Sequence, residues 1–267
     1  MSSPNIAVIG GSGLYRFLTP TRSLTPDTPF GRPSAPITLV DVDGPSVAFL
    51  PRHGTAHTLP PHRINYRANI HALHQLGVER VIAPSAVGSL HAQFAPGDLV
   101  ICDQFIDRTW GRASTFFDGP AVAHVEMASP YCDELRPLAT VAGHDAGFTV
   151  HTEGTVMVVQ GPRFGTRAES IMHRAMGADV INMTQYPEVA LARELGICYV
   201  NISLVTDYDA GLQDSPEIEH VTQERVFSVF EQSVERLQRL LVLLVKAVPA
   251  ERACGCAAGT ARPLRSD

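Results

Sequence analysis

Short runs of β-branched and other apolar residues recur along this chain with helical patterns between them, and that alternation restricts the fold more than any other feature. Ile6 to Ile9, Ile37 to Val42, Ser46 to Leu50, Arg80 to Pro84, Leu99 to Asp103, Thr155 to Gln160 and Cys198 to Thr206 read as strands. Several are apolar on both faces, as strands buried between two layers are. Apolar residues at helical spacing occupy about 64–76, 131–142, 167–177, 187–196 and 219–247. Thr166 followed by Glu169 is a capping-box opening for the third of these, and Pro187 suits the first turn of the fourth. Strands interleaved with helices predict an α/β architecture. With 267 residues, 45% of them apolar, the length suits one domain, expected over 1–248. Residues 15–36 and 105–122 read as long loops, and the small, polar stretch 249–267 as a flexible tail.

Charge and composition narrow the function classes. A net charge of −6 without a basic block lacks the footprint of a general nucleic-acid binder. Lys246 is the single lysine among 21 basic residues, so imine chemistry has almost no candidate. No apolar run approaches the ~20 residues of a membrane span. The start "MSSPNIAVIGG" lacks the basic flank of a signal peptide, and a cytoplasmic location is the expectation. Five scattered cysteines argue against a secreted disulfide framework. Cys254 and Cys256 form a C-x-C, two thiols that by themselves are too few for a closed zinc site.

Five segments carry groups with chemistry to offer, mostly where a strand ends. "IAVIGGSGLY" runs a buried strand into Gly10, Gly11, Ser12 and Gly13, where backbone amides and a hydroxyl suit an anion, or a plain tight turn. It is no dinucleotide fingerprint, because Arg16 stands where the third glycine belongs. In "LPRHGTAH", Arg52, His53 and His57 follow a strand at once; guanidinium and imidazole would grip a phosphate or carboxylate, or line a solvated loop. "VIAPSAVGSL" carries another buried strand into Ser85, Ala86, Gly88 and Ser89. Thr184, just before a helix start, either caps that helix or joins its free amides on an anion. "NISLVTDYDAG" ends in Asp207 and Asp209, two apart and so on one face of an extended chain. They suit an acid–base pair, a metal or a turn, although no His or Cys nearby completes a metal set. Ligands of α/β sheets gather beyond strand C-terminal ends, which makes these endings more telling together than singly.

In this order and spacing the segments "GGSGLY", "PRHG", "HRINYRANI", "GPRFGTRAES", "GADVINMT" and "TDYDAG" resemble the 5′-methylthioadenosine phosphorylase branch of the trimeric purine nucleoside phosphorylase family, from about Asn5 to Lys246. The resemblance implies a nucleoside phosphorylase fold, a central mixed sheet flanked by helices, in a homotrimer or dimer of trimers. It implies attack of inorganic phosphate, as co-substrate, on the anomeric carbon of a purine nucleoside, with no metal or organic cofactor and no nucleic-acid or membrane partner. By that resemblance Ser12, Arg52, His53, Ser85, Ala86 and Thr184 build the phosphate site. Met183 packs beneath the ribose, Phe164 against the base, and His57 or His124 near the sugar or its 5′ group. Asp207 and Asp209 take the catalytic role: one protonates the imidazole-ring nitrogen of the purine and the other accepts from an exocyclic amine. A carboxylate attracts an amine and repels a carbonyl, so the pair favours adenine over hypoxanthine. S-Methyl-5′-thioadenosine is the first substrate expected, giving adenine and 5-methylthioribose 1-phosphate, in purine and methionine salvage; adenosine or inosine is the alternative. Two departures bear on that choice. Gly165 stands where methylthioadenosine-specific relatives carry Ser, and Gln223 where they carry an apolar residue over the 5′ group. A non-catalytic nucleotide-binding module and a dehydrogenase are disfavoured by the missing third glycine.

Overall fold

The computed structural model describes residues 4–11, 14, 20–210, 212 and 221–262. Eleven strands share one mixed sheet: β1 (Ile6–Gly10), β2 (Pro20–Leu24), β3 (Ile37–Asp41), β4 (Ser46–Pro51), β5 (Arg80–Ser89), β6 (Leu99–Val100), β7 (Gln104–Arg108), β8 (Val150–His151), β9 (Thr155–Val159), β10 (Val180–Asn182) and β11 (Cys198–Tyr208). Five helices flank it: α1 (Tyr66–Gln75), α2 (Leu135–Asp145), α3 (Arg167–Ala175), α4 (Gln185–Glu194) and α5 (Gln223–Ala247). This is the expected mixed sheet with helices on both faces. The main path runs β2-β3-β4-β1-β5-β10-β9-β7, and β11 branches from β5 to β6.

The centre is parallel, β4-β1-β5 with β11 alongside β5, so these strands end in the same direction. Each is buried along nearly its whole length, as the two-sided apolar runs predict. One core layer packs α1 and α4 residues such as Ile70, Leu73 and Leu191 against Ile9, Val81 and Tyr199. A second packs α2 and α5, through Leu135, Leu240 and Leu244, against Val8, Ile82 and Val200.

Several boundaries differ from the sequence reading. β5 and β11 run further than Pro84 and Thr206, which puts Ser85–Ser89 and Asp207 inside paired strands. The two loops contain the edge strands β2, polar and largely exposed, and β7, half-buried over Gln104–Ile106, neither with the alternation that marks a strand. The 99–103 run is paired only at Leu99–Val100. The helical pattern from 131 begins at Leu135, and the last begins at Gln223, residues 219 and 220 lying outside those described. The capping box at Thr166 and Glu169 is present. Beyond α5 the expected loose tail is corrected over 249–262. Arg252 donates to the Gly196 carbonyl at 2.9 Å, Ala261 N–H to the Glu194 carbonyl at 3.1 Å, and Cys256 and Ala261 are buried. No helix among the described residues is long and apolar enough to cross a membrane.

Candidate active site

The parallel centre of the sheet brings the ends of β1, β4, β5 and β11 to one side, with the start of α4 among them. Arg52, just past β4, is buried and acts first as a strut. Its Nε and Nη2 grip both carboxylate oxygens of Glu188 at 2.8 and 2.9 Å, Nη2 also donates to the Ile9 carbonyl at 2.9 Å, and Nη1 donates to the Pro84 carbonyl at 3.2 Å. Glu188, fully buried in α4, takes a further hydrogen bond from the Tyr199 hydroxyl at 2.8 Å. Four of the five guanidinium N–H groups are thus used among the described residues. One N–H of Nη1 remains for an external anion. The arginine's main work is to lock β1, β5 and α4 together. Glu188 and Tyr199 escaped the sequence reading, although an acid one turn after Thr184 in an apolar helix needs a buried cation.

His53 follows with its Nδ1 2.8 Å from the Leu59 carbonyl. A carbonyl only accepts, so Nδ1 carries the hydrogen and Nε2 of the neutral ring is a bare acceptor. Burial, with Arg52 and His57 adding to it, pushes the imidazole down to about 4 against the Leu59 bond. His53 therefore accepts rather than donates towards a ligand near neutral pH. His57 stacks on it at 4.6 Å between ring centroids, with φ of 55°, and meets Phe227 of α5 edge-on at 6.2 Å. Gln223 lies one turn before Phe227 on the same face of α5.

Ser85 is buried at the heart of the anion end. Its hydroxyl accepts from Asn201 Nδ2 at 3.1 Å and Asn182 Nδ2 at 3.4 Å, and its own hydrogen has only a long contact, 3.5 Å, to Asn201 Oδ1. That hydrogen is readily redirected to a ligand. Ala86 follows it in β5. Thr184 is buried at the N-cap position of α4, yet its side chain makes no capping hydrogen bond. Of the two alternatives weighed for Thr184, the geometry leaves its hydroxyl available to a ligand. Ser12 lies outside the described residues.

Met183 sits against Gly161, where φ is +62° and a Cβ would run into its Sδ. Arg112, absent from the sequence reading, fixes this corner. It donates to the Met183 and Tyr186 carbonyls at 2.9 and 2.6 Å and to Gln160 Oε1 and the Gln160 carbonyl at 3.2 and 2.9 Å. The end of β9 is thereby tied to the start of α4.

The acids lie at the end of β11. Asp207 is 3% exposed and accepts from Thr206 Oγ1 at 2.8 Å. Burial raises its pKa to about 6; Asp209 adds to this, while Thr206 and Arg225 oppose it. Asp209 is also buried and raised by burial, opposed by the Ser170 hydroxyl and Ala210 N–H, and its Oδ2 has no partner among the described residues. Room for both acids comes from two glycines. A Cβ at Gly88 would stand 3.0 Å from Asp207 Oδ1 and 3.5 Å from Asp209 Cβ, and one at Gly165 would stand 3.7 Å from Asp209 Oδ2. Next to Gly165, Phe164 is 40% exposed. Ser85 and Gly88, three residues apart, put the anion end and the acid end ~10 Å from each other along β5.

His124 is not brought to this side. It lines a cleft with Glu126, Arg193, Thr260 and Arg262, at the opposite end of α4 from Thr184. Within one chain the expectation that it approaches the sugar is corrected.

Polar donors on β5 and at the start of α4, and a pair of buried acids at the end of β11, stand on one side of a mixed sheet, an arrangement suited to splitting a bond between an anion-seeking centre and a basic leaving group. Residues 5–246 match the model of the phosphorylase superfamily, and the chain belongs to that family. It is 52% identical over 254 residues to S-methyl-5′-thioadenosine phosphorylase of Pyrococcus furiosus, covering 95% of this chain and 96% of that one. It is 49% identical over 263 residues to purine nucleoside phosphorylase of Streptomyces coelicolor, covering 95% and 93%. Among solved structures, a methylthioadenosine phosphorylase sourced from an antarctic soil metagenomic library superposes with a TM-score of 0.90 at 41% identity, over 97% of this chain and 92% of that one.

Proposed function

We propose that the protein catalyses phosphorolysis of S-methyl-5′-thioadenosine to adenine and 5-methylthioribose 1-phosphate. The observation that carries this reading is the pair of buried carboxylates at the end of β11, both with pKa raised by burial, one to about 6. Breaking the glycosidic bond leaves positive charge on the sugar and negative charge on the purine. A carboxyl that holds its proton more tightly than an ordinary acid can relieve the leaving base, while a bound anion faces the sugar. Asp207, whose proton is held more tightly by burial and whose hydroxyl neighbour Thr206 fixes it, is the donor to the purine ring nitrogen. Asp209, whose Oδ2 has no partner among the described residues, accepts from the exocyclic amine.

At the other end phosphate is held by the Ser85 and Thr184 hydroxyls, the Ala86 amide, the remaining Arg52 N–H and Ser12. His53 Nε2 takes the hydrogen of a protonated phosphate oxygen, which turns an unprotonated oxygen towards the anomeric carbon. Met183 underlies the ribose and Phe164 the base. His57, Phe227 and Gln223 flank the 5′ group, where the ring surfaces suit a methylthio group and Gln223 offers a hydrogen bond to a hydroxyl. Gly165 leaves the space beside Asp209 that a serine would fill. The reaction needs phosphate as co-substrate and no resident metal or organic cofactor.

The enzyme acts as a homotrimer or dimer of trimers in the cytoplasm, serving purine and methionine salvage. Support for assembly comes from Trp110, 73% exposed, and Val122 on the segment that carries His124. That histidine, away from its own chain's pocket, would reach the 5′ end of a neighbouring copy's site. The test is to compare phosphorolysis rates of methylthioadenosine, adenosine and inosine side by side. The two aminopurine nucleosides should exceed inosine by at least tenfold, a discrimination of ~1.4 kcal/mol; inosine turned over equally well overturns the assignment of Asp209.

A further inference from the structure

Four of the five cysteines converge where the C-terminal segment meets the body of the protein. Cys132 precedes α2, Cys198 opens β11, and Cys254 and Cys256 follow α5 on either side of Gly255. Their four Sγ atoms all lie within 4.8 Å of one another. Three of the four are buried and Cys254 is half-buried, which leaves a way in from solvent. The Cys198 and Cys254 sulfurs are 3.3 Å apart. Two sulfurs held at ~2.3 Å by one tetrahedral ion stand ~3.8 Å apart, a spacing the cluster reaches with small adjustments.

Donors and a positive charge surround the cluster. Cys132 lies just before the N-terminal end of α2, where Cys198, Cys256 and the backbone N–H groups of Leu135 and Glu134 donate to it. Arg252 places a positive charge beside Cys198 while donating to the Gly196 carbonyl at 2.9 Å and to Glu79 at 3.2 Å. Cys102 stands apart, in the core against the Ser203 hydroxyl at 3.4 Å and outside the cluster.

We propose that Cys132, Cys198, Cys254 and Cys256 bind one thiophilic metal ion, Zn(II) first among them, in a closed tetrahedral site that fastens the C-terminal segment to α2 and β11. Four protein thiolates leave no open position, so the ion is structural. It also lies away from the reacting end: Cys198 and Asp207 are nine residues apart on β11, ~30 Å along the strand. Each cysteine that becomes a ligand releases its proton to solvent, and the charge left on the four-thiolate site is offset by Arg252 and the donors around Cys132. The site does not depend on the phosphorolysis assigned to the opposite end of the sheet.

The test uses the full-length reduced chain: its metal content as isolated, then titration with Cd(II) after chelation. Expected are one zinc per chain and one cadmium per chain with a saturable ultraviolet thiolate-to-metal charge-transfer band. Cys254→Ser and Cys256→Ser should lose that stoichiometry, and Cys102→Ser should keep it. Chelation should lower the melting temperature of the parent protein and leave that of Cys254→Ser unchanged. Should the serine variants fail to fold, the titration of the parent chain decides. Absence of a charge-transfer band at stoichiometric cadmium overturns the proposal. So does a denatured, unreduced chain with one titratable thiol in place of five, which would mean that the four form disulfides.

Discussion

Arg52 commits four of its five N–H groups to Glu188, Pro84 and Ile9. Arg52→Ala therefore does more than weaken an anion site: it leaves a fully buried carboxylate with the Tyr199 hydroxyl alone. Breaking a buried ion pair from one side costs about 3–5 kcal/mol, and chemical denaturation of the variant should show a loss in that range. Unchanged stability would mean that the pair is not what holds β4 to α4. Asp207 makes the opposite kind of statement. Its folded-state pKa of about 6 lies above the ordinary 3.8, so the folded protein binds its proton more tightly than the unfolded chain. This group's contribution is therefore most favourable at low pH and is lost as pH rises through about 4 to 6; above that, the buried charge costs ~3 kcal/mol. His53, pushed down to about 4 from 6.5, runs the other way and loses stability as pH falls through that window. The two offset each other in the parent protein, so the comparison must be with a variant. Asp207→Asn should melt higher than the parent at pH 8, with the gap closing towards pH 4 and activity lost throughout. Equal melting at pH 8 would count against a strained acid. The identity and spacing of these residues were legible in "PRHG" and "TDYD". Their environments were not, because burial and the Glu188 and Leu59 partners are set by chain that is distant or turned back.

At the scale of elements, the site exists because β5 and β11 are parallel, adjacent and long. The two-sided apolar runs and the small residues that follow them signalled where strands end, and the cluster of ligand groups is found there. What they could not signal was how far pairing continues once side chains turn polar, as it does through Ser85–Ser89 and Asp207. For the same reason the edge strands β2 and β7 were hidden inside loop-like composition. The corner between β9 and α4 depends on Gly161 and Arg112, neither of which carries a motif. Gly161→Ala places a methyl at φ +62° against Met183 Sδ. It should cost at least ~1 kcal/mol of stability and, under the proposed function, in which Met183 underlies the ribose and touches no reacting bond, raise KM for the nucleoside more than it lowers kcat. Steady-state kinetics check this, and an unaltered KM would remove Met183 from the sugar site.

Over the whole molecule, the chain is long enough to separate two functions on one sheet. The carboxyl ends of the central strands gather polar groups, and the opposite end, near Cys198, is met by the segment after α5. Small, polar composition made that segment look loose; its anchors, Cys198, Gly196 and Glu194, are more than 50 residues back in the chain and out of reach of local patterns. A net charge of −6 gives phosphate no long-range attraction. Under the proposed function, capture then rests on the local donors at Ser85, Ala86, Thr184 and Arg52, and the chemistry on phosphate as nucleophile. The most direct measurement is adenine release from methylthioadenosine in buffer stripped of phosphate and again with phosphate restored, with the sugar product identified. The account predicts release only with phosphate, and 5-methylthioribose 1-phosphate in equal amount. Adenine released without phosphate, with free methylthioribose as its partner, would contradict it.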